Sequence, residues 1–113
     1  MNYDLEERCA KFGEKIVDFV KTLPRNEINK PLISQLIRSA TSIGANYMEA
    51  NQAASKKDFK NKINISKKEA NETKHWLRML ARANDIRKEE CKLLWKEAHA
   101  LTLIFAKISK SCN

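Results

Sequence analysis

The chain has 113 residues, of which 42% are hydrophobic and 32% charged, and its net charge at pH 7 is +8. Two glycines and two prolines are too few for a disordered or fibrous protein, and the length fits one domain over residues 1–113. No apolar run approaches the roughly eighteen residues that a membrane span requires, and the start of the chain is polar rather than signal-like. We therefore expect a soluble, cytoplasmic protein with no membrane partner.

Two helices are predicted in the first half of the chain. The apolar residues of the first recur at spacings of three and four, and Pro24 ends it. Pro31 lies in the first turn of the second helix, where proline is favoured, and this helix is predicted to continue to about Ala54. Its apolar residues, Met48 among them, cover about 160° of the circumference, so we expect it to pack on several partners.

Two further helices are predicted in the second half. Ser55 and Asp58 resemble a capping box, which starts a helix over residues 55–83. After a break at Asn84 and Asp85, a fourth helix covers residues 87–110. Its predicted inner side contains Cys91, Leu94, Trp95, Ala98, Leu101, Phe105 and Ile108. Short connections between long helices make neighbours antiparallel, so the predicted fold is all-α, an up-down-up-down four-helix bundle.

Three cysteines, Cys9, Cys91 and Cys112, form no close pair in the sequence, which argues against a disulfide framework. Cys9 and Cys91 lie on the apolar faces of the first and fourth predicted helices. We therefore expect both of these to be buried free thiols.

The positive charge is concentrated on the third predicted helix. Residues 55–83 contain nine Lys or Arg and three Asp or Glu, whereas residues 1–54 contain seven of each kind. Five of the basic residues fall within a sector about 40° wide on a helix, and a sixth borders it. In chain order the six are Lys56, Lys60, Lys67, Lys74, Arg78 and Arg82. Such a row suits a phosphate backbone, and the alternative is a solvated helix face.

A second apolar surface lies off the core-facing sides of the third and fourth helices. It consists of Ile65, Trp76 and Met79 on the third, and Leu93 and Ile104 on the fourth. Apolar clusters with an aromatic anchor are typical of protein contact surfaces, so we expect a homo-oligomer that uses these residues at its subunit interface. The alternative is that they are singly exposed side chains, which are normal on a protein surface.

The order of polar residues and helix breaks carries a family resemblance. Residues 38–50 spell RSATSIGANYMEA, followed by SKKDF at 55–59, KEANET at 68–73 and Trp76-Leu77. This pattern resembles the bacterial four-helix-bundle proteins encoded within intervening sequences of large-subunit (23S) ribosomal RNA genes. That family is similar to the accessory variability protein of diversity-generating retroelements. The resemblance implies a basic, barrel-shaped homopentamer that binds nucleic acid and has no established enzymatic activity.

Polar residues within this signature have two interpretations. On the second helix, Arg38 shares one side with Ser42, Asn46 and Glu49, while Glu69, Glu72 and Thr73 lie on the third. A functional role is one interpretation. The preferred one is structural, because polar groups at helix contacts satisfy one another, and a buried carboxylate requires a partner such as Arg38 or a hydroxyl.

The sequence offers little support for an enzyme. Glu72 and His75 have the spacing of di-metal helical bundles, but that site requires a second such pair, which the chain lacks. His99 is expected in the core or at its rim, and no glycine-rich phosphate loop is present. We predict no catalytic residue, metal or cofactor. The predicted function is non-enzymatic binding of RNA or single-stranded nucleic acid, and the alternative is a scaffold that docks a protein partner such as a reverse transcriptase.

Overall fold

The computed structural model describes residues 3–112 and contains four long α-helices. Met1, Asn2 and Asn113, which complete the predicted domain, lie outside the described residues. A short 3-10 turn, Asp85–Arg87, precedes the last helix. The helices are α1 (Tyr3–Val20), α2 (Asn29–Asn51), α3 (Lys56–Ala83) and α4 (Lys88–Ser111). The predicted all-α, four-helix fold is confirmed.

The helices form an antiparallel square in which each packs on its neighbours in the chain. α1 and α4 close the square over a smaller contact than the other three pairs make. At one end, buried Asn29 and partly buried Asn84 exchange amide hydrogen bonds of 3.0 and 2.9 Å. The start of α2 and the end of α3 therefore meet there, as an up-down-up-down order requires. The bundle measures 44 × 20 × 19 Å, and α3 runs along almost its full length.

Side chains close to the breaks fix where the helices begin and end. The Ser55 hydroxyl accepts a 3.0 Å hydrogen bond from the Asp58 backbone N–H, which confirms the predicted serine cap of α3. Before α2, the Asn26 side chain accepts hydrogen bonds from the N–H groups of Ile28 and Asn29. The predicted end of α2 near Ala54 is wrong, because the helix stops at Asn51.

Large apolar side chains from all four helices fill one core. Those with less than 2% of their surface exposed include Phe12, Ile16, Leu36, Ile43, Leu77, Leu80, Leu101 and Phe105. Tyr47 packs edge-on against Phe105, with ring centroids 5.5 Å apart. The broad apolar face of α2 is explained by its position between α1 and α3. Met48 departs from the prediction, since it is 59% exposed at the outer edge of the α1–α2 contact.

The predicted burial of Cys9 and Cys91 is confirmed, and both are free thiols. Burial raises the pKa of Cys9 to about 12 and that of Cys91 to about 11, because a thiolate would lose its hydration there. Cys112 is a third free thiol, and it is partly buried in the turn after α4. Within residues 3–112, no helix is both long and apolar enough to cross a membrane.

Candidate nucleic-acid interface

The six predicted basic residues lie on one flank of α3, beside α4. The opposite flank of α3 packs on α2, where the Ser66 hydroxyl donates to the Ile43 carbonyl and Thr73 donates to the Ser39 hydroxyl. On the α4 side, Asn64 accepts a 2.6 Å hydrogen bond from Ser109. We call the six residues the basic flank. Lys56, Arg78 and Arg82 are exposed, Lys60, Lys67 and Lys74 are partly buried, and Lys74 contacts α4.

Most of the charge on the basic flank is not neutralised. Among the residues that the structure describes, no carboxylate lies within 4.0 Å of the charged groups of Lys56, Lys67, Arg78 or Arg82. Lys62, which is outside the flank, instead pairs with Glu49 at 2.8 Å, and this hydrogen bond raises the pKa of Lys62. A positive potential is therefore concentrated where α3 meets α4.

The structure places further basic residues next to the basic flank, which the pattern of a single helix did not predict. Lys57 and Lys68 are exposed on the outer face of α3, next to the basic flank. Exposed lysines on α4 widen the positive surface, and those that border α3 include Lys88 and Lys92. Lys88 and Lys92 meet Arg78 around one cleft. The sequence indicates that Lys88 and Lys92 face outward, but only the packing of α4 on α3 places these two residues beside the basic flank.

The predicted inward position of Trp95 is wrong. Its side chain is 37% exposed at the α3–α4 junction, and its ring stacks on His99 with centroids 5.1 Å apart and planes inclined by 17°. The Lys74 Nζ lies 5.2 Å from the centroid of the Trp95 ring and 3.0 Å from His99 Nδ1. Because an ammonium only donates, Nδ1 is the acceptor in this contact. His99 is partly buried, which places it at the rim, one of the two positions expected.

Two other aromatic residues, Tyr47 and Trp76, pack within the bundle. Tyr47 is buried, and Trp76 is partly buried against the core. The Trp76 N–H donates a 2.9 Å hydrogen bond to the carboxylate of Glu72. His75 packs edge-on against the indole, at 4.9 Å between centroids. Both rings therefore have structural contacts within the bundle.

The structural interpretation of the signature residues is also supported. The Arg38 guanidinium donates to both oxygens of Glu69, at 3.1 and 3.2 Å, and to the carboxylate of Glu72. Ser42 and Asn46 donate to backbone carbonyls within their own helix. The Glu72 carboxylate thus accepts hydrogen bonds from both Arg38 and Trp76. In the described part of the chain, no three His, Cys, Asp or Glu side chains are grouped as metal ligands would be.

Comparison with known proteins now adds to this geometry. The family model described as 23S rRNA-intervening sequence protein matches residues 1–107. The chain belongs to this family. It is also similar to the crystal structure of a protein of unknown function from the S23 ribosomal protein family of Bacteroides thetaiotaomicron, with 37% identity and a TM-score of 0.81. That similarity covers 93% of this chain and 97% of the other. No curated protein matches the chain.

The predicted resemblance to the 23S rRNA-intervening sequence proteins is thus confirmed, while the link to retroelement accessory proteins stays a prediction. In this family member the predicted interface residues occupy two separated edges. Ile65, Trp76 and Met79 are partly buried on the side of α3 toward α2. Leu93, 66% exposed, and partly buried Ile104 lie on α4 toward α1. Leu103 and Ile86, which are 57% and 93% exposed, are not among the predicted interface residues.

Proposed function

We propose that the protein is a non-enzymatic, cytoplasmic oligomer that binds RNA or single-stranded nucleic acid through the basic flank. The observation that carries this proposal is the row of cations on α3, four of which, Lys56, Lys67, Arg78 and Arg82, have no described carboxylate within 4.0 Å. From Lys56 to Arg82 the row extends over about 39 Å, at about 1.5 Å per residue. A surface of that length suits several successive phosphates. Each cation placed near a phosphate releases a counterion, which provides affinity without reading the base sequence.

Self-association belongs to the same proposal. The apolar residues of the α2–α3 edge and those of the α1–α4 edge lie on opposite sides of the square bundle. Contacts that join one edge of a protomer to the other edge of the next are head-to-tail, and such contacts form a ring when the rotation between successive protomers closes. The homopentamer implied by the family resemblance is a ring of this kind. Every basic flank would then have the same orientation relative to the ring, which multiplies a weak phosphate affinity.

Fluorescence anisotropy tests the binding proposal. Labelled structured RNA, single-stranded DNA and duplex DNA are titrated with nucleic-acid-free protein, from low to physiological salt. We expect saturable binding that weakens steeply with salt, with a logarithmic slope of about −0.7 for each phosphate neutralised on a single strand. Absence of binding to all three probes would overturn the proposal and favour the alternative, a scaffold that docks a protein partner.

Charge reversal locates the binding surface. The double variant Lys67→Glu, Arg82→Glu should keep its helical circular dichroism but lose at least about tenfold in affinity, and its salt slope should fall by about 1 to 2. The matched control is Lys11→Glu, Lys21→Glu, which changes the net charge equally on exposed positions in and just after α1. Equal losses in both variants would assign binding to net charge rather than to the basic flank.

A further inference from the structure

We propose that Trp95 is a stacking site for one unpaired base of a bound single strand, with Arg78, Lys88 and Lys92 holding the adjacent phosphates. This inference rests on the proposed function and deepens it. Trp95 is a large aromatic side chain that stays 37% exposed in the most basic part of the molecule. A tryptophan in that position combines the two components of single-strand binding sites, a π surface and surrounding cations.

The contacts of Trp95 hold its ring in place. His99 is stacked nearly parallel to the indole, and Lys74 lies near both rings. The indole is therefore fixed between α3 and α4 before any ligand arrives, so little side-chain freedom is lost on binding. A ring held in this way acts as a rigid platform rather than as a mobile surface residue.

Trp95 lines a small cleft between α3 and α4. Its volume is 180 Å³, which is smaller than the roughly 300–1,000 Å³ of pockets that enclose a whole small molecule. Leu77, Ala81 and Cys91 also line it and give it an apolar floor. The occupant must therefore insert a single flat group while the remainder of the molecule is held outside. A base of a polymer that is bound along the basic flank satisfies this condition.

The rim of the cleft is cationic. Arg78, Lys88 and Lys92 line it and are exposed, and no acidic residue lines it. These side chains are positioned to contact phosphates on either side of an inserted base, as phosphate contacts usually position a chain without reading its sequence. Because bases within a duplex already stack on both faces, the site should select unpaired nucleotides and tolerate any base.

The first test uses the native protein and a matched pair of probes. A single-stranded DNA oligomer is compared with an abasic oligomer of equal length, which keeps the sugar-phosphate chain and lacks the bases. We expect the two to share one salt slope, the abasic oligomer to bind about 5- to 100-fold more weakly, and only the oligomer with bases to quench tryptophan fluorescence. Equal affinities without quenching would overturn the stacking site and leave phosphate binding by the basic flank intact.

A variant assigns the effect to Trp95. Trp95→Leu should bind the oligomer with bases about 5- to 100-fold more weakly than the native protein does. Its affinity for the abasic oligomer and its salt slope should not change. The control is Trp76→Phe, which removes the other tryptophan and should keep the quenching, since Trp95 then supplies all of the signal. Quenching that disappears in Trp76→Phe but persists in Trp95→Leu would assign stacking to Trp76 and contradict the inference.

Discussion

Arg38 joins α2 to α3 through two carboxylates, and its position explains part of the family signature. Glu69 is only 8% exposed, so its charge has lost most of its water. The guanidinium replaces that water with two hydrogen bonds and extends the contact to Glu72, which in turn accepts from Trp76. A buried carboxylate paired with a guanidinium favours the alignment of two helices that brings the two groups together.

Removing the charge of Arg38 should therefore lower the free energy of unfolding, and removing the charges of Arg38 and Glu69 together should lower it less. We expect Arg38→Met to lower the free energy of unfolding by about 1–3 kcal/mol, since it leaves Glu69 unpaired while the site remains partly open to solvent. The double variant Arg38→Met, Glu69→Gln should recover part of that loss. Urea denaturation of the wild type, the two single variants Arg38→Met and Glu69→Gln, and the double variant measures the coupling energy between the two residues. Strictly additive losses in the free energy of unfolding would contradict the direct pairing.

Residue types in the sequence indicated this pair but did not indicate the Trp95 cluster. A buried glutamate needs a cation, and Arg38 was an available one on the neighbouring helix. Trp95 lies at the boundary of the apolar arc of α4, where helical periodicity does not determine whether the adjacent helix covers the ring. Its contacts with Lys74 and His99 depend on the alignment of α3 with α4, which is a tertiary property. Lys57 and Lys68 were missed because periodicity alone did not locate the outward centre of α3.

At the scale of whole elements, the helix breaks were the most predictable feature. The Ser55 cap starts α3 for a local chemical reason that needs no tertiary structure. Pro24 lies in the break after α1, although the helix already ends at Val20, and Asn84 follows the end of α3 as predicted. The end of α2 was misplaced because residues 52–54 are compatible with a helix. There, turn hydrogen bonds from the N–H groups of Gln52 and Ala53 close the helix instead.

The two glycines differ in how closely they bring α1 to α2, which gives a matched prediction. A Cβ added at Gly44 would lie 3.2 Å from the Cβ of Cys9, whereas one added at Gly13 would lie 3.8 Å from the Thr41 Cγ2 atom. Gly13→Ala should stabilise the protein by about 0.5–1 kcal/mol, because alanine favours the helix and the contact is an ordinary one. Gly44→Ala should gain less or destabilise, since Cys9 would have to shift.

Thermal unfolding of both variants provides the measurement. A gain of about 1 kcal/mol corresponds to an increase in Tm of roughly 4–8 °C for a domain of about this size. Equal increases for the two variants would mean that α1 and α2 adjust freely at Gly44. The close approach would then place no constraint on the packing of these helices.

At the scale of the whole molecule, the two apolar edges predict an assembly that specific variants can break. Native mass spectrometry should give a multiple of the 13.1 kDa chain, and a pentamer would have five times this mass, about 65 kDa. Leu93→Glu should reduce the assembled fraction at least about tenfold with little effect on folding, because this leucine is 66% exposed in the protomer. A monomeric wild-type protein at micromolar concentration would contradict the assembly.

Ile86→Glu is the control for that measurement. It introduces the same charge at a position that is 93% exposed in the 3-10 turn, away from both apolar edges. The assembly formed by this variant should contain the same number of subunits as that of the wild type. If Ile86→Glu dissociates the assembly while Leu93→Glu does not, the subunit contact lies at the end of the bundle rather than along its edges.

The uneven distribution of charge between the two halves of the bundle also affects how the molecule moves toward a ligand. Residues 1–54, which contain α1 and α2, have no net charge, so the whole +8 belongs to the half that contains α3 and α4. The centre of charge is therefore displaced from the centre of mass, and the protein has a permanent electric moment across its short axis. In the field of a polyanion this moment produces a torque that turns the α3–α4 side forward. The protein is therefore oriented before it contacts the strand, with α1 and α2 on the side away from it.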